Sequence, residues 1–489
     1  MLNERTIKFI LKNEDTDLMK LLLSSGDNND IDIKKAVRQI EARKKIKTKL
    51  IKWYHIPAIE YPTNLSLEQC SSEQTAKYKQ RFIHKGDICA DLCGGLGVDT
   101  YYISQIASEV DYFEQNKTIA CCSLQNFKLL STDSKLEHYK STNYNFTDSK
   151  LEHYKSTNYN STDSKLEVHN SPVYNSNINP CNIHVYNQTV NKEFLINSLA
   201  NPYLSGPSLR NHYDLFYLDP ARRSKTGSRI YSIEDSSPNI CELKEWLFKK
   251  SPKILLKISP MADLTATLKL LPETSEVHII SLNNECKELL LLLERDFIKS
   301  TSTEPIITCV NLKKNKSPQT FKFKISNEKN AKCTFAKPEK LTNSKPSTIN
   351  NIHTHNNSTD NSMDNNIESE SPKYLYEPNK SITKAGAFKY ISEYYKIDKI
   401  ATGTHLYLSN QLITFPGKTF KILQITDMSK KSIIKAANQY PNAAVSAKNI
   451  PLSSNELKKK LKVGESETYH IFGLSRFDGK KRLYLTKEI

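Results

Sequence analysis

Apolar positions in the first eighty residues recur at three- and four-residue intervals over 7–12, 18–23 and from 31 onward, a spacing that predicts amphipathic helices. From about residue 81 the pattern changes. Short apolar runs at 86–90, 110–113, 181–187, 213–218, 253–258 and 276–282 are separated by turns and helical stretches and read as strands. That alternation predicts an α/β fold with a largely parallel, doubly covered, Rossmann-like sheet. Residues 287–293, with an unbroken run of leucines, read as a buried helix. Further on, 305–312 and 320–325 read as a strand pair, 384–395 as one helix, and the surroundings of Leu406 and Phe420 as strands, an α+β unit. A last module has helical spacing over 432–440 and extended patterns at 443–446, 469–474 and 482–485. A capping box, Ser453 with Glu456 three residues on, opens a helix within it.

Two polar stretches interrupt the pattern. Thr-Asp-Ser-Lys-Leu-Glu recurs from Thr132, Thr147 and Thr162, and each copy carries too little apolar surface to offset the entropy of ordering it. We read 131–178 as a disordered surface insert and 338–372 as a second polar insert. The domain expectation is therefore a helical region at 1–80, an α/β domain at 81–298, an α+β domain at 299–426 and a smaller one at 427–489.

Composition adds a formal charge of +17 over 489 residues, which suits a polyanionic partner. Local clusters at 43–49 and 458–462 sharpen that expectation, although each also reads as a solvated helix face. The ten cysteines form no Cys-x-x-Cys pair and have no histidines at zinc spacing, so reduced thiols, no metal and a cytoplasmic protein are expected. No apolar run approaches a membrane span, and the first residues lack a signal-peptide core.

The chemistry concentrates after the first α/β strand, in Asp91-Leu-Cys93-Gly94-Gly95-Leu-Gly97-Val-Asp99. A strand, a glycine turn and a helix expose backbone N–H groups where a ligand can approach. Glu114, ending the next strand, is placed to accept both hydroxyls of a ribose. The glycine spacing departs from the dinucleotide fingerprint, and Asp91 would repel a pyrophosphate. It could instead neutralise the ammonium of S-adenosylmethionine, so Asp91, Cys93, Gly94, Gly95, Gly97, Asp99 and Glu114 form the expected cofactor set. The fourth strand ends in Asp219-Pro220-Ala-Arg222-Arg223. Asp219 would orient a nucleophile, Pro220 would stiffen the turn, and Arg222 and Arg223 would contact substrate phosphate. Lys257 and Ser259 end the next strand at the same sheet edge and are candidate substrate contacts. Cys286 could suggest a covalent uracil-type mechanism, but it falls one strand too late and reads as an inert thiol.

The segments 68–76, 91–99, 219–223, 257–261, 284–289 and 374–379 together resemble the bacterial THUMP-like domain-containing class I methyltransferases. The resemblance implies a ferredoxin-like and a THUMP-like domain behind the catalytic one. It also implies an S-adenosylmethionine-dependent methyltransferase acting on RNA. Methylation of a protein or small molecule, or RNA binding without catalysis, are the alternatives. Residues 68–75 would lie over the cofactor pocket.

Overall fold

The computed structural model describes residues 2–23, 31–133, 182–200, 208–221, 233–297, 303–314, 316–337 and 372–489. Most of the two polar inserts, together with Arg222, Arg223 and Cys181, lies outside the described residues. The chain divides into two compact units, one of residues 1–277 and 288–303, the other of 278–287 and 304–489.

The first unit begins with the helices the sequence predicts: α1 (Glu4–Lys12), α2 (Leu18–Leu23), α3 (Ile33–Ile46), α4 (Ile51–Tyr54), α5 (Asn64–Gln69) and α6 (Glu73–Lys79). Asn3, Asp32, Thr63 and Ser72 cap α1, α3, α5 and α6 through side-chain oxygens that accept backbone N–H bonds. Ile10, Leu21, Ile33, Val37 and Ile40 close a small apolar cluster. Gln39 on α3 exchanges two hydrogen bonds with the Tyr61 backbone, at 2.8 and 2.9 Å, fixing the chain that leads to α5.

The basic run at 43–49 is only partly a solvated face. Arg43 is 3% exposed, donates to the Tyr54 carbonyl, pairs with Glu14 and lies over the Tyr54 ring. Lys49 donates to the Leu67 and Glu68 carbonyls. These two cations bind their own chain, because both fall on the packed side of the α3 end.

Strands β1 (Ile88–Asp91), β2 (Glu109–Phe113), β3 (Ile183–Tyr186), β4 (Leu215–Leu218), β5 (Lys253–Ile258), β6 (Thr274–Leu282) and β7 (Glu285–Glu294) take the order β3-β2-β1-β4-β5-β7-β6. Neighbours from β3 to β5 pair parallel, and β7 runs antiparallel against β5. The order reverses between β1 and β4, the place where open α/β sheets bind ligands beyond their carboxyl ends. The helices α7 (Val98–Ser104), α8 (Lys117–Asp133), α9 (Lys192–Ala200), α10 (Ile240–Leu247) and α11 (Leu264–Leu270) connect the strands.

One expectation fails here: 287–293 is strand, not helix. Leu289 to Leu293 are all buried and pair in register with 254–258 of β5. An apolar run this short has no period to separate the two readings, and its partner strand decides. Asn283 and Asn284, both with positive φ (50° and 63°), make the tight turn that returns the chain from β6 into β7.

The second unit contains the hairpin β8 (Ile306–Lys313) and β9 (Lys316–Lys324), as expected, followed by α12 (Ile325–Asn330). Its seven-stranded sheet has the order β11-β12-β10-β13-β16-β15-β14. These strands are β10 (Tyr374–Pro378), β11 (Asp398–Ala401), β12 (Thr404–Ser409), β13 (Gly417–Asp427), β14 (Ala444–Lys448), β15 (Tyr469–Ser475) and β16 (Lys481–Glu488). The single helix expected at 384–395 is two, α13 (Lys380–Ala385) and α14 (Tyr390–Tyr395). Gly386, at φ +76°, ends the first in the left-handed conformation, which a continuous helix cannot hold. Helices α15 (Lys430–Gln439) and α16 (Ser454–Leu461) complete the unit, and the predicted Ser453–Glu456 capping box is formed.

Candidate functional site

The glycine turn runs from the end of β1 into α7, whose N-cap is Gly97. Its three glycines serve different needs. A Cβ on Gly94 would lie 2.0 Å from the Tyr112 ring, and one on Gly97 would lie 2.4 Å from Phe127, so both are small because their own protein presses on them. Gly95 has φ +52°, and a Cβ there would meet only the Cys93 carbonyl oxygen, at an ordinary 3.9 Å, so its conformation and not crowding calls for glycine. Glu114 follows β2 and accepts the Gly95 N–H at 2.9 Å and the Asn116 N–H at 2.7 Å, one on each oxygen. Burial raises its pKa, while those two N–H bonds pull the other way. A carboxylate offers about four acceptor positions, so the bonds to Gly95 and Asn116 leave capacity for two hydroxyls.

Asp91 is 1% exposed and accepts from the Cys93 N–H at 3.1 Å and the Thr100 hydroxyl at 2.6 Å. Burial pushes its pKa up to about 7, against the lowering effect of those two bonds, and the charges of Asp99 and Asp219 push the same way as burial. Burial likewise holds the Cys93 thiol far above its ordinary range, so it is no thiolate nucleophile.

Asp99 belongs to a different assembly. Its Oδ1 lies 3.1 Å from Lys79 Nζ, and its Oδ2 accepts from the Ser71 and Tyr217 hydroxyls, each at 2.7 Å. Lys79, fully buried, pairs with Glu288 at 2.6 Å. Lys257, on β5, pairs with Asp219 at 2.6 Å and lies 3.9 Å from the other oxygen of Glu288. Ser71 is the hub: its hydroxyl accepts from Lys79 (3.2 Å) and Lys257 (3.1 Å) and donates to Asp99, the full capacity of one hydroxyl. Burial alone would raise the Asp99 pKa; Lys79 and then Lys257 outweigh it and hold the carboxyl below its ordinary value.

Two ammonium groups thus face three carboxylates, with Asp91 and Glu114 close along the same sheet edge. Such an edge repels a pyrophosphate and suits a cationic ligand. Together with the small side of the turn at Gly95 and the spare acceptors of Glu114, it fits a sulfonium nucleoside and not a dinucleotide.

The structure brings Asp219 and Lys257 into direct contact and sets Pro220, buried, beside them. Ser259 does something else: its hydroxyl accepts the Met261 N–H at 3.1 Å and shapes the turn after β5. Cys286 lies on β7 and is half-buried. Sequence reasoning missed Lys79, Ser71, Glu288 and Tyr217. Lys79 sits in a run, Lys77-Tyr-Lys79-Gln-Arg81, that looks like a solvated helix end, and no local signal separates it from its neighbours. Of the stretch 68–75, expected over the cofactor pocket, Ser71 bonds to Asp99 and to Lys257 at the end of β5.

Comparison with known proteins agrees with this architecture. Residues 374–416 match the model of a ferredoxin-like domain and 417–488 that of a THUMP domain-like family. The crystal structure of a "putative methyltransferase" from Porphyromonas gingivalis W83 aligns over 100% of this chain and 99% of that one, at 26% identity and a TM-score of 0.71. A "putative methyltransferase" from Streptococcus mutans in complex with SAH aligns over 45% of this chain and 96% of its own, at 12% identity and a TM-score of 0.24. No curated protein sequence matches the chain. Among the described residues no helix is long and apolar enough to cross a membrane. The second unit therefore carries a ferredoxin-like domain followed by a THUMP-like domain, and the chain as a whole has the fold of the Porphyromonas gingivalis protein.

Proposed function

We propose that the protein is an S-adenosylmethionine-dependent methyltransferase whose acceptor is an RNA base. The observation that carries the reading is Asp219, held at 2.6 Å by buried Lys257 at the switch point of the sheet, beside the turn that exposes Gly95 and Glu114. When bound, the cofactor would supply a methyl group on a sulfonium. Glu114 would hold the ribose hydroxyls with its spare acceptor positions. Asp91 would face the ammonium in its ionised form. Asp219 would accept an N–H or O–H of the nucleophile and keep it in line, and Lys257 would keep that carboxylate from turning away. The proton released in the transfer would pass to the Asp219 carboxylate.

RNA is favoured by the +17 charge and by a THUMP-like domain in the second unit. The charge argument is narrower than the sequence suggests, because Arg43 and Lys49 are engaged within the chain. Arg222 and Arg223 keep their proposed role as phosphate contacts; they lie outside the described residues. The test is incubation with methyl-labelled cofactor and total RNA from a deletion strain, followed by mapping of the labelled nucleotide. Label in RNA is expected, lost with Asp219→Asn. Label in protein alone would transfer the reading to a protein substrate. Absence of cofactor binding, with Glu114→Ala no weaker than wild type, would end it.

A further inference from the structure

Three consecutive residues at the end of β2 hold the glycine turn, each through a different group. The Phe113 carbonyl accepts the Gly94 N–H at 2.9 Å, the Glu114 carboxylate accepts the Gly95 N–H at 2.9 Å, and the Tyr112 hydroxyl donates to the Gly95 carbonyl. Tyr112 and Glu114 stand two positions apart in extended chain, so their side chains leave on the same side and both reach Gly95. Ser123, on α8, donates to the same carbonyl at 3.2 Å and stands 3.2 Å from the Tyr112 hydroxyl. Tyr112 and Ser123 are both fully buried, so they act from beneath the turn. Burial, and then the negative charge of Glu114, hold the Tyr112 phenol far above its ordinary pKa, and it stays a donor.

The two packed glycines belong to the same arrangement. The Tyr112 ring fills the space where a Gly94 Cβ would stand, and Phe127, edge-on to Tyr112 with centroids 5.5 Å apart, fills that of a Gly97 Cβ. Without side chains at 94 and 97, the ring can lie under the turn and bring its hydroxyl to Gly95. Glycine carries the largest backbone freedom of any residue, and freedom at Gly95 passes to Glu114, whose Oε2 its N–H holds. Fixing Gly95 at both its N–H and its carbonyl removes that freedom before a ligand arrives. Acceptors arranged in advance bind more tightly than acceptors that must be ordered on binding.

We propose that Tyr112, together with Ser123, is a positioning residue for ribose recognition and acts through Gly95 on the Glu114 carboxylate. The inference rests on the methyltransferase reading, since the ligand it serves is the nucleoside half of adenosylmethionine.

Calorimetric titration of the full chain with S-adenosylhomocysteine tests it as a double-mutant cycle. Tyr112→Phe keeps the ring and removes only the hydroxyl, and should weaken binding about three- to tenfold, the worth of one hydrogen bond. In a Glu114→Ala background no carboxylate remains to be placed, and Tyr112→Phe should then change affinity by less than about twofold. A phenol that merely supports the fold would lower the melting temperature and weaken binding equally in both backgrounds. Ser123→Ala leaves the ring untouched and should show the same pattern, about two- to fivefold, so it carries the comparison if Tyr112→Phe does not fold. Wild-type binding with no loss in Tyr112→Phe, or with equal losses in the presence and absence of Glu114, overturns the proposal and leaves the methyltransferase reading intact. Failure of wild type to bind S-adenosylhomocysteine ends that reading and this inference with it.

Discussion

Asp91 and Asp99 bracket one glycine turn, eight positions apart, and both are buried, at 1% and 8% exposure. Their carboxyl groups nevertheless move in opposite directions. Asp91 receives a hydroxyl and a backbone N–H but no cation, and its pKa climbs to about 7. Asp99 receives Lys79 and feels Lys257, and its pKa falls. Burial is therefore the shared cost, and the presence of a cation decides the outcome. The same turn holds one carboxyl ready to titrate near neutrality and one locked as an anion. Asp91 is thus free to respond to a cationic ligand, while Asp99 ties the N-terminal helices to the sheet.

The largest test of that contrast removes the cation. Lys79→Met leaves Asp99 and Glu288 buried against a single remaining lysine, and should cost about 3–5 kcal/mol of stability, read by urea unfolding. A loss below about 1 kcal/mol would mean that Lys79 does not set the state of Asp99. Lys79→Met combined with Glu288→Gln should recover part of the loss, since it removes one of the stranded charges.

Asp91 gives the next effect, with the opposite sign. Its folded-state pKa stands above the ordinary value near 4, so between about pH 4 and pH 7 the folded protein holds a proton that the unfolded chain releases. Stability should fall as pH rises through that window, by up to about 4 kcal/mol at roughly 1.4 kcal/mol per unit. Asp91→Asn should flatten this part of the profile and be more stable than wild type at pH 8. Adenosylmethionine affinity of wild type should rise over the same window if the ionised carboxylate meets the ammonium, and be flat in the variant. A wild-type profile without the descending limb would place Asp91 with Asp99 after all.

Between the two carboxylates, the glycines separate packing from ligand approach. Gly94→Ala drives a methyl into the Tyr112 ring and should cost about 1–3 kcal/mol. Gly95→Ala meets only the Cys93 carbonyl oxygen, at an ordinary contact distance of 3.9 Å, and carries the cost of its positive φ, about 1–2 kcal/mol. Gly95→Ala should nonetheless be the more damaging to cofactor affinity measured by calorimetry, because the Gly95 N–H holds the Glu114 carboxylate that is proposed to take the ribose.

What could be read from the sequence follows the same division. The turn itself is local: Asp91, the glycines and Glu114 lie within one βαβ unit, and strand, turn and helix patterns place them without knowledge of the rest. The charge cluster is not local. Ser71 and Lys79 come from the helical region, Asp99 from α7, Tyr217 from β4, Lys257 from β5 and Glu288 from β7. Only the closing of the sheet brings them together, and a lysine destined for full burial looks like any other in the chain. The misread strand β7 hid Glu288 as well, since a helix at 287–293 would have given that residue a different neighbourhood. The Asn283-Asn284 pair was the available signal for the hairpin, through the positive φ that such turns require.

The smallest effect concerns Lys257 and Ser259, which share a strand end and were expected to share a role. Lys257 is 3% exposed and holds Asp219, whereas Ser259 is half-buried and caps a turn by accepting the Met261 N–H. Ser259→Ala should therefore cost only about 0.5–1.5 kcal/mol, the worth of one ordinary hydrogen bond, and leave kcat and KM for the methyl acceptor unchanged. Lys257→Met in the same assay should abolish turnover, because Asp219 loses the group that fixes its orientation. A rise in KM with Ser259→Ala at unchanged kcat would instead make Ser259 a substrate contact, and the division between the two residues would be drawn in the wrong place.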